Sequence, residues 1–438
     1  MFTASFQRGL RHRRCARHWA CVLALGAGSA LLGLASQAQP VLTLDRALQT
    51  AQDRSRQLVA QDAAAAAARD LAIAAGQLPD PVLKAGINNL PLSGADRFSL
   101  TSDFMTARSV GVMQQFTRET TRTARAARFE RQAEAEQAGR RLALANLQRD
   151  TARAWLDRHY RERVLEMLAR QRDEARLQID AAEAAYRGAR GSQADVFEAR
   201  SALAQIDDRI AQARRQVDSA TIQLARWVGD AAAAPLGDLP VIDRVRLQPA
   251  DLEAQFTHHP QLVVMEKQEQ VAQAEAQVAR MSARPDWSVE LMFDQRGPAY
   301  SNMISVNVSV PLRWDRANRQ DREIAAKQAV VERLQAEREE VTRAQVAEAK
   351  VMLQEWQSNR ERLRHYDKAL LPLAGERTQA TLSAYRGGGG TLASVLEARR
   401  NEIDTRIERI RLEMETARLW AQLEFLMPAG SGAAAARP

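Results

Sequence analysis

Cysteine is nearly absent. The 438 residues hold two, Cys15 and Cys21, both within the first 38. Past residue 38 there is no disulfide framework, no thiolate metal site and no redox pair. Aromatic residues make up only 5%, which argues against one large globular core. Histidine is also sparse, with only His159, His258, His259 and His365 beyond the first 38 residues. Adjacent histidines on a helix point apart, so His258 and His259 read as part of a solvated loop and not as a metal site. The methionines, including Met105, Met113, Met292 and Met303, are scattered and read as packing residues. No Ser/His/Asp order, phosphate-binding loop, paired catalytic carboxylates or metal-ligand spacing stands out. The expectation is a chain that is not an enzyme and carries no cofactor. After the first 38 residues no apolar run reaches 18 residues, so any part that enters a membrane must do so as strands.

What is present begins with a segment that reads as a secretory signal, residues 1–38. Arg8, Arg11, Arg13, Arg14 and Arg17 form a basic start, residues 19–35 are mostly apolar, and Ser36-Gln37-Ala38 supplies small residues for cleavage. The alternative, a transmembrane anchor, is disfavoured by the short apolar run. Cys21 precedes that run and is not placed for lipid attachment. The formal net charge of +8 falls to +3 without this segment, leaving 57 basic against 54 acidic residues. Such a balance gives no reason to expect a nucleic-acid partner.

The rest of the chain is organised around a duplicated stretch. Residues 185–200 read AYRGARGSQADVFEAR and residues 384–399 read AYRGGGGTLASVLEAR, at a constant offset of 199. In both, helix-like sequence runs in, glycines break it, and helix-like sequence runs out, as at the tip of a helical hairpin. Gly188 and Gly387 are expected to take the positive φ of a helix ending. Ser192 and Thr391 are expected to cap the returning helices.

The elements between the tips also repeat. Residues 43–76 read as a helix stopped by Pro79-Asp80-Pro81. Period-two alternation predicts strands at about 82–90 and 108–117 in the first half, and about 286–296 and 302–313 in the second. Each has one apolar and one polar face. Long helices follow at about 118–187 and 315–386, the latter bent near Pro372. The return helices carry seams at three- and four-residue steps, from Val196, Ala199, Leu203, Ile206 and Ile210 to Trp227, and from Ile403, Ile407 and Ile410 to Ala421. The mature chain is thus two repeats, 39–235 with a turn at about 187–193 and 236–427 with a turn at about 386–392, followed by a flexible tail, 428–438. The fold class is mainly α with a small β part. Each repeat runs helix, strand, strand, long helix, turn, long helix.

Four two-faced strands cannot close a barrel. Three chains would supply twelve strands and close a wide pore. By strand pattern alone, a soluble sheet packed on the helices fits about equally well. A periplasmic coiled-coil adaptor or structural protein is the alternative from another class. It is disfavoured because adaptors carry one long hairpin and this chain carries two.

The duplicated order, the run Leu78-Pro79-Asp80-Pro81 and the duplicated Tyr-x-x-Gly turn resemble the TolC family of outer-membrane efflux proteins over essentially the whole mature chain. Residues 78–116, LPDPVLKAGINNLPLSGADRFSLTSDFMTARSVGVMQQF, look most like its heavy-metal branch, the cobalt–zinc–cadmium and copper–silver channels. The resemblance implies a homotrimer in the outer membrane, extending into the periplasm. It implies a twelve-stranded barrel continued by a tunnel, or α-barrel, of coiled-coil helical hairpins. It also implies contact with outer-membrane lipid, docking to a periplasmic adaptor (a membrane fusion protein) and an inner-membrane RND pump, and export of heavy-metal cations. Drug efflux and type I protein secretion are the alternatives within the class. Matched by motif position, the candidate periplasmic gate comprises Asp195, Glu198, Tyr385 and Glu397, where Glu397 stands for a family aspartate. Ser394 and Gly390 depart from a family aspartate and a family arginine. The carboxylates read equally as acids favoured at helix N-termini, with Asp195 the stronger gate candidate. Three copies of such acids would attract cations. The candidate adaptor-contacting turns comprise Tyr186, Gly188, Gly191, Ser192, Gly387, Gly390 and Thr391.

Overall fold

The computed structural model describes residues 41–247 and 252–428. The signal segment 1–38, residues 248–251 and the tail from 429 onward lie outside the described residues.

The expected helix over 43–76 is two helices, α1 (Leu44–Arg54) and α2 (Arg56–Ala75). Ser55 ends the first in an extended conformation, and its hydroxyl accepts from the Leu58 N–H of the second. A side-chain acceptor that satisfies a free helix-start amide outweighs the helical propensity of the surrounding residues. Strand β1 (Val82–Asn88) and strand β2 (Ala107–Phe116) follow. Helix α3 (Glu119–Arg187) then runs 69 residues, roughly 100 Å at 1.5 Å per residue. Helix α4 (Gln193–Val228) returns beside it and ends in a 3-10 turn, Gly229–Ala233.

The second half repeats this order with α5 (Leu252–Phe256), α6 (Pro260–Ser282), β3 (Trp287–Gln295), β4 (Met303–Ser309), α7 (Gln320–His365), α8 (Leu371–Arg386) and α9 (Leu392–Glu424). Two details differ from expectation. Strand β4 stops at Ser309, short of 313, because Pro311 has no N–H to continue the ladder. At Pro372, α7 and α8 are joined by a π-helical turn, Tyr366–Leu370. A proline offers no N–H to the carbonyl four residues back, here Lys368, and its ring crowds that carbonyl. The wider turn is one way a helix absorbs the mismatch.

Helix α3 is the spine. Its first part lies against α2 and α6 through ion pairs such as Arg140–Asp62 at 2.8 Å and Arg128–Glu275 at 3.1 Å. Alanines 133, 135, 138, 143 and 145 are buried there and let the helices approach closely. Its last part packs through Leu168 on Ile210 and Ala213 of α4 and Ile403 and Ile407 of α9, four members of the predicted seams. Between these parts sits the main core, which draws on both halves of the chain: Trp155, Leu156, Tyr160, Leu224, Leu353, Trp356 and Trp420. Each of its buried tryptophans donates its ring N–H to a carbonyl outside the helices: Trp155 to Leu42 (2.9 Å), Trp356 to Ile242 (3.3 Å) and Trp420 to Arg244 (2.9 Å). Buried indole N–H groups need such partners. The two sequence repeats are therefore not separate cores.

The strands form one antiparallel sheet in the order β1-β2-β3-β4. The register lines up Leu83, Val112, Leu291 and Val306 in one row and Ala85, Val110, Phe293 and Ile304 in the next. Side chains alternate between faces along each strand, so these rows share a face. The opposite face carries Lys84, Ser109, Glu290, Asp294 and Ser305.

Candidate functional site

Two regions carry the functional candidates: the sheet, and the hairpin tips beyond α3 and α8.

The two faces of the sheet differ in chemistry. The polar face is cross-linked. Lys84 pairs with Glu290 at 2.7 Å, and the Asp294 carboxylate accepts from the hydroxyls of Ser109 (2.7 Å) and Ser305 (3.1 Å). Asn88 donates to the Ser109 hydroxyl at 2.6 Å. Among the described residues, nothing covers the apolar face. Leu83, Val110, Val112, Leu291, Phe293, Ile304, Val306 and Val308 are all exposed, with Ile304 at 71% and Val306 at 64%. At the helical end of this face Phe116 and Trp287 stack with centroids 4.5 Å apart. Strands β1 and β4 leave their outer edges unpaired within the sheet. The expected alternative, a soluble sheet packed on the helices, does not fit, because the helices cover neither this face nor these edges. Among the described residues, no helix is long and apolar enough to cross a membrane.

The two tips share one geometry. In the first, Ala189 N–H donates to Tyr186 C=O and Arg190 N–H to Ala185 C=O, at 3.0 and 2.9 Å. In the second, Gly388 N–H donates to Tyr385 C=O and Gly389 N–H to Ala384 C=O, at 3.1 and 3.0 Å. This 5→2 and 6→1 pair is the Schellman ending. It moves the left-handed residue one place beyond expectation. Gly188 and Gly387 have φ of −83° and −79°, while Ala189 and Gly388 have +56° and +80°. The later glycines, Gly191 and Gly390, are needed for space. A Cβ at Gly191 would sit 3.1 Å from Ala185 Cβ, and one at Gly390 3.1 Å from the Tyr385 nitrogen.

Ser192 and Thr391 cap the return helices, accepting from the N–H groups of Asp195 (3.2 Å) and Ser394 (3.2 Å). The Asp195 carboxylate reaches back to the Ser192 N–H at 2.8 Å and completes a capping box. Its counterpart Ser394 donates its hydroxyl to Thr391 C=O at 2.7 Å. Glu198 is exposed. Glu397 lies 3.4 Å from Arg377, and both are largely exposed, so the pair contributes little. Tyr385 is half-buried against the cluster of Ala182, Val196, Ala199, Leu392 and Leu396 that joins α3, α4 and α9, whereas Tyr186 is exposed. The structure thus brings the four gate candidates to the same end of the helices, with Asp195 held by its own cap and Tyr385 held between the hairpins. Residues 183–200 and 377–400 carry seven arginines against four carboxylates. Arg187, Arg190 and Arg386 are exposed among them.

His259 departs from expectation. It is buried at the start of α6, its ring stacked on Phe256 with centroids 5.2 Å apart, and only His258 is exposed. Burial pushes its pKa down to about 4, because the charged imidazolium loses its hydration.

Sequence reasoning did not single out an ion cluster beside the π turn. Glu413 accepts from Arg163 at 3.2 Å, Arg409 bridges Glu413 and Asp367, and Tyr160 OH lies 3.4 Å from Glu413. Burial, followed by the Glu413 charge, raises the Tyr160 pKa well above its ordinary value. The only sequence signal was charges placed next to the apolar seams.

Residues 254–428, from within α5 to just past the end of α9, match the family model described as Outer membrane efflux protein. Among solved structures, the outer-membrane channel OprN is 16% identical with a TM-score of 0.73, over 88% of this chain and 90% of that one. A membrane protein from Pseudomonas aeruginosa is 17% identical with a TM-score of 0.74, over 87% and 93%. CusC, in structures described as concerning transmembrane channel formation, is 15% identical with a TM-score of 0.70, over 87% and 91%. The fold is that of these structures, in the first half of the chain as well as in the residues 254–428 that the family model matches. The family and the structures matched are channel proteins, not enzymes. No curated protein matches the chain by sequence.

Proposed function

We propose that this chain is the outer-membrane channel of a tripartite efflux system, acting as a homotrimer with a periplasmic adaptor and an inner-membrane RND pump. The observation that carries the reading is the sheet. One face is apolar and uncovered, the other is hydrogen-bonded and charged, and both edges are open. Lipid does not tolerate unpaired strand edges. Pairing β1 of one chain with β4 of the next keeps the antiparallel alternation and closes a barrel of twelve strands, lipid outside and water inside. The channel fold and the family match over residues 254–428 support the same reading and an outer-membrane location.

The hairpin tips are then the periplasmic end. Their turns, Tyr186 to Ser192 and Gly387 to Thr391, are the surface offered to an adaptor. Asp195, Glu198, Tyr385 and Glu397 line the gate. For cargo we assign heavy-metal cations, on the resemblance of residues 78–116. Drug-type compounds and secreted proteins are the alternatives. Among the described residues, no group of three or more His, Cys, Asp or Glu side chains is placed to hold a metal ion. The chain conducts what the pump selects. The test is a deletion strain. Loss of the chain should sensitise cells to zinc, cobalt, cadmium, copper or silver, and the protein should fractionate with the outer membrane. Unchanged tolerance to all five metals rejects the cargo. A soluble periplasmic protein rejects the channel.

A further inference from the structure

The apolar face does not end where the ladder ends. Along β4, Ile304, Val306 and Val308 lie on the exposed apolar face, and the same parity continues through Val310, Leu312 and Trp314. These three are 50%, 67% and 88% exposed, and Trp314 is the most exposed large apolar side chain among the described residues. The segment joins β4 to α7 at the end of the sheet marked by the stacked pair Phe116 and Trp287. Three arginines are interleaved with it: Arg313, Arg316 and Arg319. Arg316 pairs with Asp321 at 3.0 Å. Arg313 and Arg319 are exposed and have no acidic partner among the described residues.

We infer that Val310–Arg319 is a membrane-surface anchor that binds anionic phospholipid in the leaflet on the helical side of the sheet. The inference rests on the channel reading and adds to it a lipid chemistry and the residues that recognise it. The occupant is argued from continuity and charge. The segment extends the face assigned to lipid. An indole sits favourably at headgroup level, with its apolar ring toward the acyl chains and its N–H toward water. Guanidinium groups bind phosphate through paired N–H donors. Each arginine held near an anionic surface favours binding roughly fivefold. Water alone gives no reason to expose an unpartnered tryptophan next to the unpaired Arg313.

The experiment uses the purified, full-length protein in phosphatidylcholine vesicles, with or without phosphatidylglycerol. A fraction of the lipid is brominated near the headgroup. The emission of Trp314 is isolated as the difference between wild type and Trp314→Phe. Quenching of that emission, stronger when phosphatidylglycerol is present, is the expected result. Arg313→Gln with Arg319→Gln should keep the quenching and lose the phosphatidylglycerol dependence. Trp314 emission that no brominated lipid quenches overturns the inference, and is what a second copy of the chain covering the segment would give. Quenching in wild type that ignores phosphatidylglycerol also overturns it. Planar-bilayer conductance of the same preparation separates the two claims. A conducting protein with unquenched Trp314 fails the anchor alone, and a protein that neither inserts nor conducts fails both.

Discussion

Arginine at Val306 separates a lipid-facing sheet from a water-facing one. Val306 lies in the central row of the apolar face, beside Leu291, and is 64% exposed in the single chain. If that face meets water, arginine there replaces one exposed side chain with another, and stability should move by less than about 0.5 kcal/mol. If it meets hydrocarbon, each chain pays about 2–4 kcal/mol for a cation near the midplane of a membrane barrel. Three chains multiply that to roughly 6–12 kcal/mol per trimer, comparable with the whole stability of an ordinary domain. The next residue supplies the control. Asn307 sits on the polar face opposite Glu290, and arginine there should be accepted. The assay is the amount of heat-modifiable trimer in the outer-membrane fraction, read by unheated gel electrophoresis. Val306→Arg should lower it severely and Asn307→Arg should leave it near wild type. Equal tolerance of both would refute the assignment of faces, and greater damage from Asn307→Arg would reverse it.

Other outcomes follow from single residues. Ala189→Gly should stabilise the first tip and Gly388→Ala should weaken the second, each by about 1 kcal/mol, because within the tips these are the left-handed positions; the thermal midpoints of the two variants should move in opposite directions. Trp155 is fully buried and donates to Leu42 C=O, so Trp155→Ala should cost about 3–5 kcal/mol, seen as a large drop in thermal midpoint with loss of folded protein. His259 is neutral when folded, with its pKa near 4 against about 6.5 unfolded. Its contribution is present in full above pH 6.5 and declines as pH falls toward 4, by an amount on the order of 3 kcal/mol. His259→Phe should flatten the fall in thermal midpoint between pH 7 and pH 4.5, and a variant with an unchanged slope would show that other groups carry it.

The strands were the most legible part of the sequence. Period-two alternation in 82–88 and 303–309 marks both the element and its faces, and the register then aligns apolar with apolar across all four strands. The tips were legible as turns because glycine interrupts helix in duplicate, but the strained position was not. A Schellman ending puts positive φ one residue after the C-cap, and in the first copy that residue is an alanine. The break at Ser55 was hidden because propensity on both sides is helical and only the hydroxyl's choice of partner divides them. The tryptophan belt was invisible for another reason. Trp155, Trp356 and Trp420 are far apart in sequence, and the carbonyls they meet belong to segments without periodicity. His259 reads as loop beside His258, and only the packing of Phe256 against it makes it a buried base.

The central claim is that four two-faced strands with open edges are completed by other copies of the chain. The mass of the detergent-solubilised particle, measured by light scattering with the detergent contribution subtracted, tests it most directly. A protein mass of three chains is the predicted result, and a stable, folded single chain in detergent would contradict it.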